Sequence, residues 1–156
     1  PASVRWRIEH GERGGIAPRA IGLLIGANNF GRVHWTAAQT ETGIAAILAE
    51  IRKHLPDAHV LLLGVLPRDR GGWCAAQTAE LNRALAEKYG TGEVRGVGFH
   101  DPTSLFLHNG ALDRTLFYDP LLTPPEPALH PTASAQARLA AAIAPILAPW
   151  MKDAPR

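Results

Sequence analysis

The stretch Ile21-Gly22-Leu23-Leu24-Ile25-Gly26-Ala27-Asn28-Asn29 constrains this chain more than any other, because an almost wholly apolar run halts there on a glycine and two amides. A run this short and this apolar predicts a strand buried on both faces, the kind found in parallel sheets covered by helices. In open sheets of that type ligands bind beyond the carboxyl ends of the strands, where a glycine N–H beside an Asn amide can hold an oxyanion. Gly26 and Asn28 are therefore the first candidates for chemistry. Taken alone, both are ordinary turn formers, since each tolerates left-handed backbone. A dinucleotide fingerprint is a further alternative, with Gly26 and Gly31 as the outer glycines of G-x-G-x-x-G. Against it, the middle position is Asn28, and no acidic residue closes the next apolar run at His59 to Gly64.

The same alternation continues along the chain. Val4 and Ile8, four apart among charged residues, predict the end of an amphipathic helix stopping at Gly11; Gly14-Gly15 and Pro18 lead into the first strand. A loop is expected after Asn29 through Trp35. From Thr36 or Thr40, residues Ile44, Ile47, Leu48, Ile51 and Leu55 repeat at helical spacing until Pro56-Asp57. His59 to Gly64 is the second strand. Trp73 to Tyr89 is the next helix, with Cys74, Thr78, Leu81, Leu85 and Tyr89 on its inner face and Gly90 and Gly92 behind it. Val94 to Phe99 is the third strand, followed by His100-Asp101-Pro102. This order implies right-handed crossovers and a parallel sheet covered on both faces. Five of the 13 prolines fall between Asp119 and Pro131, so that window predicts an irregular loop. Thr132 to Met151 then carries Leu139, Ile143, Ile146, Leu147 and Trp150 in helical register, with Pro145 expected to kink the helix or end its regular part.

With 156 residues and 46% hydrophobic composition, residues 1–156 make one domain able to bury a core. The net charge of +2 is scattered and forms no basic cluster interleaved with aromatics, which argues against a nucleic-acid partner. A single cysteine excludes an internal disulfide and a Cys-rich metal site; Cys74, at the opening of a helix, is either a thiol nucleophile or a buried structural thiol. No apolar run has the length of a membrane span and no signal segment opens the chain. It begins Pro1-Ala2-Ser3 without a Met, so both a cytoplasmic and a secreted localisation stay open.

His130 stands in Ala128-Leu129-His130-Pro131-Thr132, just ahead of the last helix and on the strand-end side of the sheet. An imidazole held at such a junction can serve as a general base; the alternative is an exposed loop histidine. His10, His34, His54, His59, His100 and His108 show no metal-ligand spacing. A catalytic His needs an acid to orient it, and Asp119 and Glu126 both lie in the preceding loop. Ser3, Ser104 and Ser134 occupy no strand-to-helix elbow, so none reads as an activated nucleophile. Phe30, Trp35, Trp73 and Phe106 either line a pocket or are ordinary packing.

Several strings taken together resemble the SGNH (GDSL-type) hydrolases, in particular the catalytic subunits of intracellular platelet-activating-factor acetylhydrolases and their bacterial relatives. They are Trp6-Arg7-Ile8-Glu9-His10-Gly11-Glu12, Ile25-Gly26-Ala27-Asn28-Asn29, Leu63-Gly64-Val65-Leu66-Pro67-Arg68, Asn82, Asn109-Gly110 and His130-Pro131-Thr132, in that order. The resemblance implies a three-layer α/β/α sandwich with a parallel, flavodoxin-like sheet, and cleavage of acyl esters, acetyl or short-chain, with no metal or cofactor. It makes Asn28 the oxyanion Asn, with Gly26 in the same motif, and His130 the base. It also allows a homodimer. Two departures accompany it. The Gly-Asp-Ser block and its strand would lie upstream of Pro1, so the chain is expected to be N-terminally truncated, to lack its first strands and nucleophile, and to be inactive alone. The family's acid stands three residues before the His, where this chain has Pro127; Asp119 is the first choice for that role and Glu126 the reserve. A degenerate domain that binds an acylated ligand or a protein partner is the alternative function.

Overall fold

The computed structural model describes residues 1–11, 15–117 and 129–152. Three strands, β1 (Ala20–Leu24), β2 (His59–Leu63) and β3 (Val97–His100), lie parallel in that spatial order. Their register aligns Leu24 with Leu63 and Leu63 with His100, so all three strands end together.

Alternation along the strands sorts their side chains between two helical layers. Leu23, Val60, Leu62 and Val97 join Ile44, Ile47 and Ile51 of α3 (Ala37–His54) and Leu81 and Leu85 of α4 (Gly71–Tyr89) in one core. On the other face, a Cβ at Gly98 would meet the Trp150 ring at 3.3 Å, with Leu61 beside it, which puts α5 (Ala133–Lys152) there. Helix α1 (Ala2–Glu9) packs outside α3. The expected α/β/α layering and parallel sheet are what the chain forms. Thr36 caps α3 with a reciprocal box, its hydroxyl accepting from Gln39 N–H while the Gln39 side chain accepts from Thr36 N–H.

Three local expectations are corrected. Residues after Asn29 form no loop: α2 (Ala27–Val33) starts from Gly26 and ends at His34, whose φ of 51° is left-handed. Gly31 in its middle weakens the helical signal, but Phe30 is completely buried beneath α4, and that burial decides the conformation. The third strand starts later than Val94, at Val97, and includes His100. Of the two outcomes expected at Pro145, the ending is overturned: α5 covers nearly the span expected from Thr132 to Met151 and runs on through Pro145 and Pro149. These prolines are four apart and exposed, as is Ala141, so the carbonyls they leave without an N–H donor face water. A short antiparallel hairpin, β4 (Leu107–His108) and β5 (Ala111–Leu112), turns on Asn109-Gly110, both with positive φ.

Candidate active site at the carboxyl end of the sheet

The end of β1 is shaped by one glycine. Gly26 has φ 121°, a conformation side chains resist, and a Cβ there would approach Val65 Cγ2 to 3.0 Å and Thr40 Cγ2 to 3.3 Å. The chain therefore turns straight from strand into α2, burying Asn29 and Phe30 and leaving Asn28 exposed on the first turn. Gly31 is covered by Arg70, whose Nη1 donates to the Gly31 carbonyl at 3.0 Å. The third glycine of the apparent dinucleotide fingerprint is thus occupied by protein.

His130 is held by the start of α5. Thr132 caps that helix, its hydroxyl accepting from Ala135 N–H at 3.3 Å while its own N–H donates to the Leu116 carbonyl at 2.8 Å. Arg138 donates to the Leu105 carbonyl, tying the first turns of α5 to the segment beyond β3. The far end of the helix reaches the opposite edge of the sheet: Arg19 Nη1, ahead of β1, donates to the Met151 carbonyl at 2.8 Å, and His59, which opens β2, stacks on Trp150. Helix α5 therefore runs antiparallel to the strands. Gly26, Asn28 and His130 share the carboxyl end of the sheet, with Asn28 and His130 both exposed and no hydrogen bond joining them. Asp119, Glu126 and Pro127 lie outside the described residues.

The remaining candidates resolve by burial. Ser3 lies in α1, Ser104 in a 3-10 turn after β3 and Ser134 in the first turn of α5, none at a strand-to-helix elbow. Cys74 is buried on the inner face of α4. Phe30 and Phe106 are fully buried packing residues, whereas Trp73 is 44% exposed and sits edge-on to Phe30. Among the described residues no three His, Cys, Asp or Glu side chains are placed to hold a metal ion. No helix there is long and apolar enough to cross a membrane.

Sequence reasoning passed over Asn82 as chemistry of the fold itself. Buried in α4, it accepts from Val65 N–H at 2.8 Å and donates to the Val65 carbonyl at 3.0 Å, fastening the loop that leaves β2. A polar residue on the inner face of an otherwise apolar helix was the signal available for it. A cavity of about 440 Å³ opens beside it along the same edge, and neither Asn28 nor His130 lines it.

The sequence pattern of the GDSL-like lipase/acylhydrolase family matches residues 2–138. The chain belongs to that family. Among individual relatives, platelet-activating factor acetylhydrolase IB subunit alpha2 of Gallus gallus is 29% identical over 153 residues, which is 97% of this chain and 62% of that protein. The Homo sapiens alpha2 subunit is 31% identical over 107 residues, 68% of this chain and 44% of the relative. This member of the GDSL-like family thus spans less than two thirds of the length of the relatives it matches. A carbohydrate esterase family 3 structure from Talaromyces cellulolyticus superposes with a TM-score of 0.69 at 18% identity, covering 97% of this chain and 70% of the other, a likeness of fold.

Proposed function

We propose that this protein is a serine esterase that cleaves acetyl or other short acyl esters of small molecules. In this reading a serine contributed by sequence upstream of Pro1 attacks the acyl carbonyl. His130 takes the hydroxyl proton and delivers it to the departing alcohol; water then attacks the acyl-enzyme, losing a proton to His130, which returns it to the serine oxygen as the bond between that oxygen and the acyl carbon breaks and the carboxylic acid leaves. Asp119 orients the imidazole. The Gly26 N–H and the Asn28 amide hold the tetrahedral oxyanion, each worth about 2.7–4 kcal/mol of barrier. Supporting it, family membership runs through both motifs, and Gly26-Ala27-Asn28 and His130 stand at one end of the sheet, ahead of α2 and α5. The acetyl preference rests on relatives whose names carry acetylhydrolase activity.

The deciding experiment is turnover of 4-nitrophenyl acetate by the intact protein and its Asn28→Ala and His130→Ala variants. Losses of about a hundredfold or more in kcat, with the melting temperature unchanged, are expected for both. An Asn28→Ala variant within tenfold of the parent removes the oxyanion role. The 156-residue chain by itself should be inactive, and a fluorophosphonate should label none of its serines. A second reading, a non-catalytic domain that binds an acylated ligand or a protein partner, is favoured by Pro127 standing three residues before His130. An intact protein without esterase activity that still binds acylated ligands would select it.

A further inference from the structure

We propose that the cavity between α4 and the loops leaving β2 and β3 is a binding site for a small organic anion, anchored by the guanidinium of Arg68. Arg68 lines this cavity, yet its Nε and Nη2 are buried with no hydrogen-bond acceptor among the described residues. A buried N–H without a partner is costly, and a charged one more so, so the group gains from any acceptor offered to it. The guanidinium lies 6.0 Å over the ring of Phe30, which supports it from one side without supplying an acceptor. Burial also lowers its proton affinity from the ordinary value, the sign expected of a cation taken from water without a counter-charge.

The carboxylate in the cavity wall does not supply the missing charge. Asp101 already accepts from Thr103 N–H at 2.9 Å and from the Thr103 hydroxyl at 2.6 Å, with Asn82 Nδ2 at 3.4 Å. Arg83, also in the wall, is turned to Glu87 at 3.2 Å. Among the described residues the balance is one carboxylate already engaged by Thr103 and Asn82 against one guanidinium whose Nε and Nη2 have no acceptor. Ala75, Ala79 and Leu112 make the rest of the wall largely apolar. About 440 Å³ exceeds a bare ion and suits a small ligand with an anionic head and a short apolar body. A carboxylate or phosphate head matches the forked donor, and in this proposal the arginine stem turns to bring those buried nitrogens to the cavity when the anion enters.

Calorimetric titration of the intact protein tests this with three probes: butyrate, the neutral isostere butyramide, and inorganic phosphate. Saturable binding of butyrate or phosphate is expected, with butyramide weaker by at least about tenfold. Preference for butyrate assigns a carboxylate head with an apolar tail, and preference for phosphate assigns a phosphate head. Arg68→Gln should weaken the anion by about tenfold or more, and Ala79→Leu, which fills the cavity from an exposed helical position, should do the same without touching the charge. If Arg68→Gln fails to fold, Ala79→Leu alone decides. Absence of anion binding, equal binding of butyramide, or full affinity in the variants would overturn the proposal. The readout is binding and does not depend on ester turnover.

Discussion

Asn82 holds both backbone groups of Val65, its Oδ1 accepting from the N–H at 2.8 Å and its Nδ2 donating to the carbonyl at 3.0 Å. One side chain on α4 thereby satisfies the first residues beyond β2, where the chain leaves the sheet and would otherwise bury unpaired peptide groups. Gly64 makes the approach possible, since a Cβ there would stand 2.9 Å from Asn82 Nδ2 and 3.1 Å from Asp101 Oδ1.

Replacing Asn82 by Ala should cost about 2–4 kcal/mol, because two buried backbone groups lose their partners at once. Asn82→Asp should be nearly as harmful, since a second oxygen cannot donate to Val65 and would face Asp101. Chemical denaturation measures both, and a loss below about 0.5 kcal/mol for Asn82→Ala would show that water or the loop replaces the bonds.

Gly26→Ala combines a strained φ with a 3.0 Å approach to Val65 Cγ2. The expected loss is about 1–3 kcal/mol, read as a lower melting temperature. In the intact protein, ester turnover should fall as well, because the strand-to-helix turn that carries Asn28 must open.

Thr40 is completely buried and its hydroxyl has no hydrogen-bond partner among the described residues, while its methyl packs near Gly26. Thr40→Val keeps the shape and removes the unsatisfied group. An increase in stability of about 1 kcal/mol is expected by thermal unfolding, and a decrease would mean that the hydroxyl is hydrogen-bonded in solution.

Among the described residues β1 pairs only with β2, and Leu24 on it is 44% exposed. An open edge with apolar side chains invites intermolecular pairing. The 156-residue chain alone should self-associate at micromolar concentration in light scattering, and Leu24→Lys should suppress it.

Lys88 Nζ donates to Glu41 Oε1 at 3.0 Å across α4 and α3, and this bond raises the ammonium above its ordinary value. A cation raised on folding contributes stability that is full below its unfolded value and is lost as pH climbs through the folded one. The loss therefore falls above about pH 10. Lys88→Met should cost no more than about 0.5 kcal/mol at neutral pH and flatten the alkaline fall of the melting temperature.

The apolar runs at Ile21 and His59, the helical spacing of Ile44 to Ile51 and the inner face Cys74 to Tyr89 determined the order of elements without help from contacts, because hydrophobic period is a local property. The motifs around Asn28 and His130 were likewise readable, being short strings tied to strand and helix ends. What only the tertiary structure decided are features whose cause lies far along the chain. Residues 27–33 are helical because Phe30 is buried under α4, and α5 survives two prolines because their side faces water. The Arg68 Nε and Nη2 have no acceptor among the described residues because of what surrounds them after folding. A sequence specifies propensity and pattern residue by residue; burial, and the cost of leaving a buried group unpaired, exists only once distant segments meet.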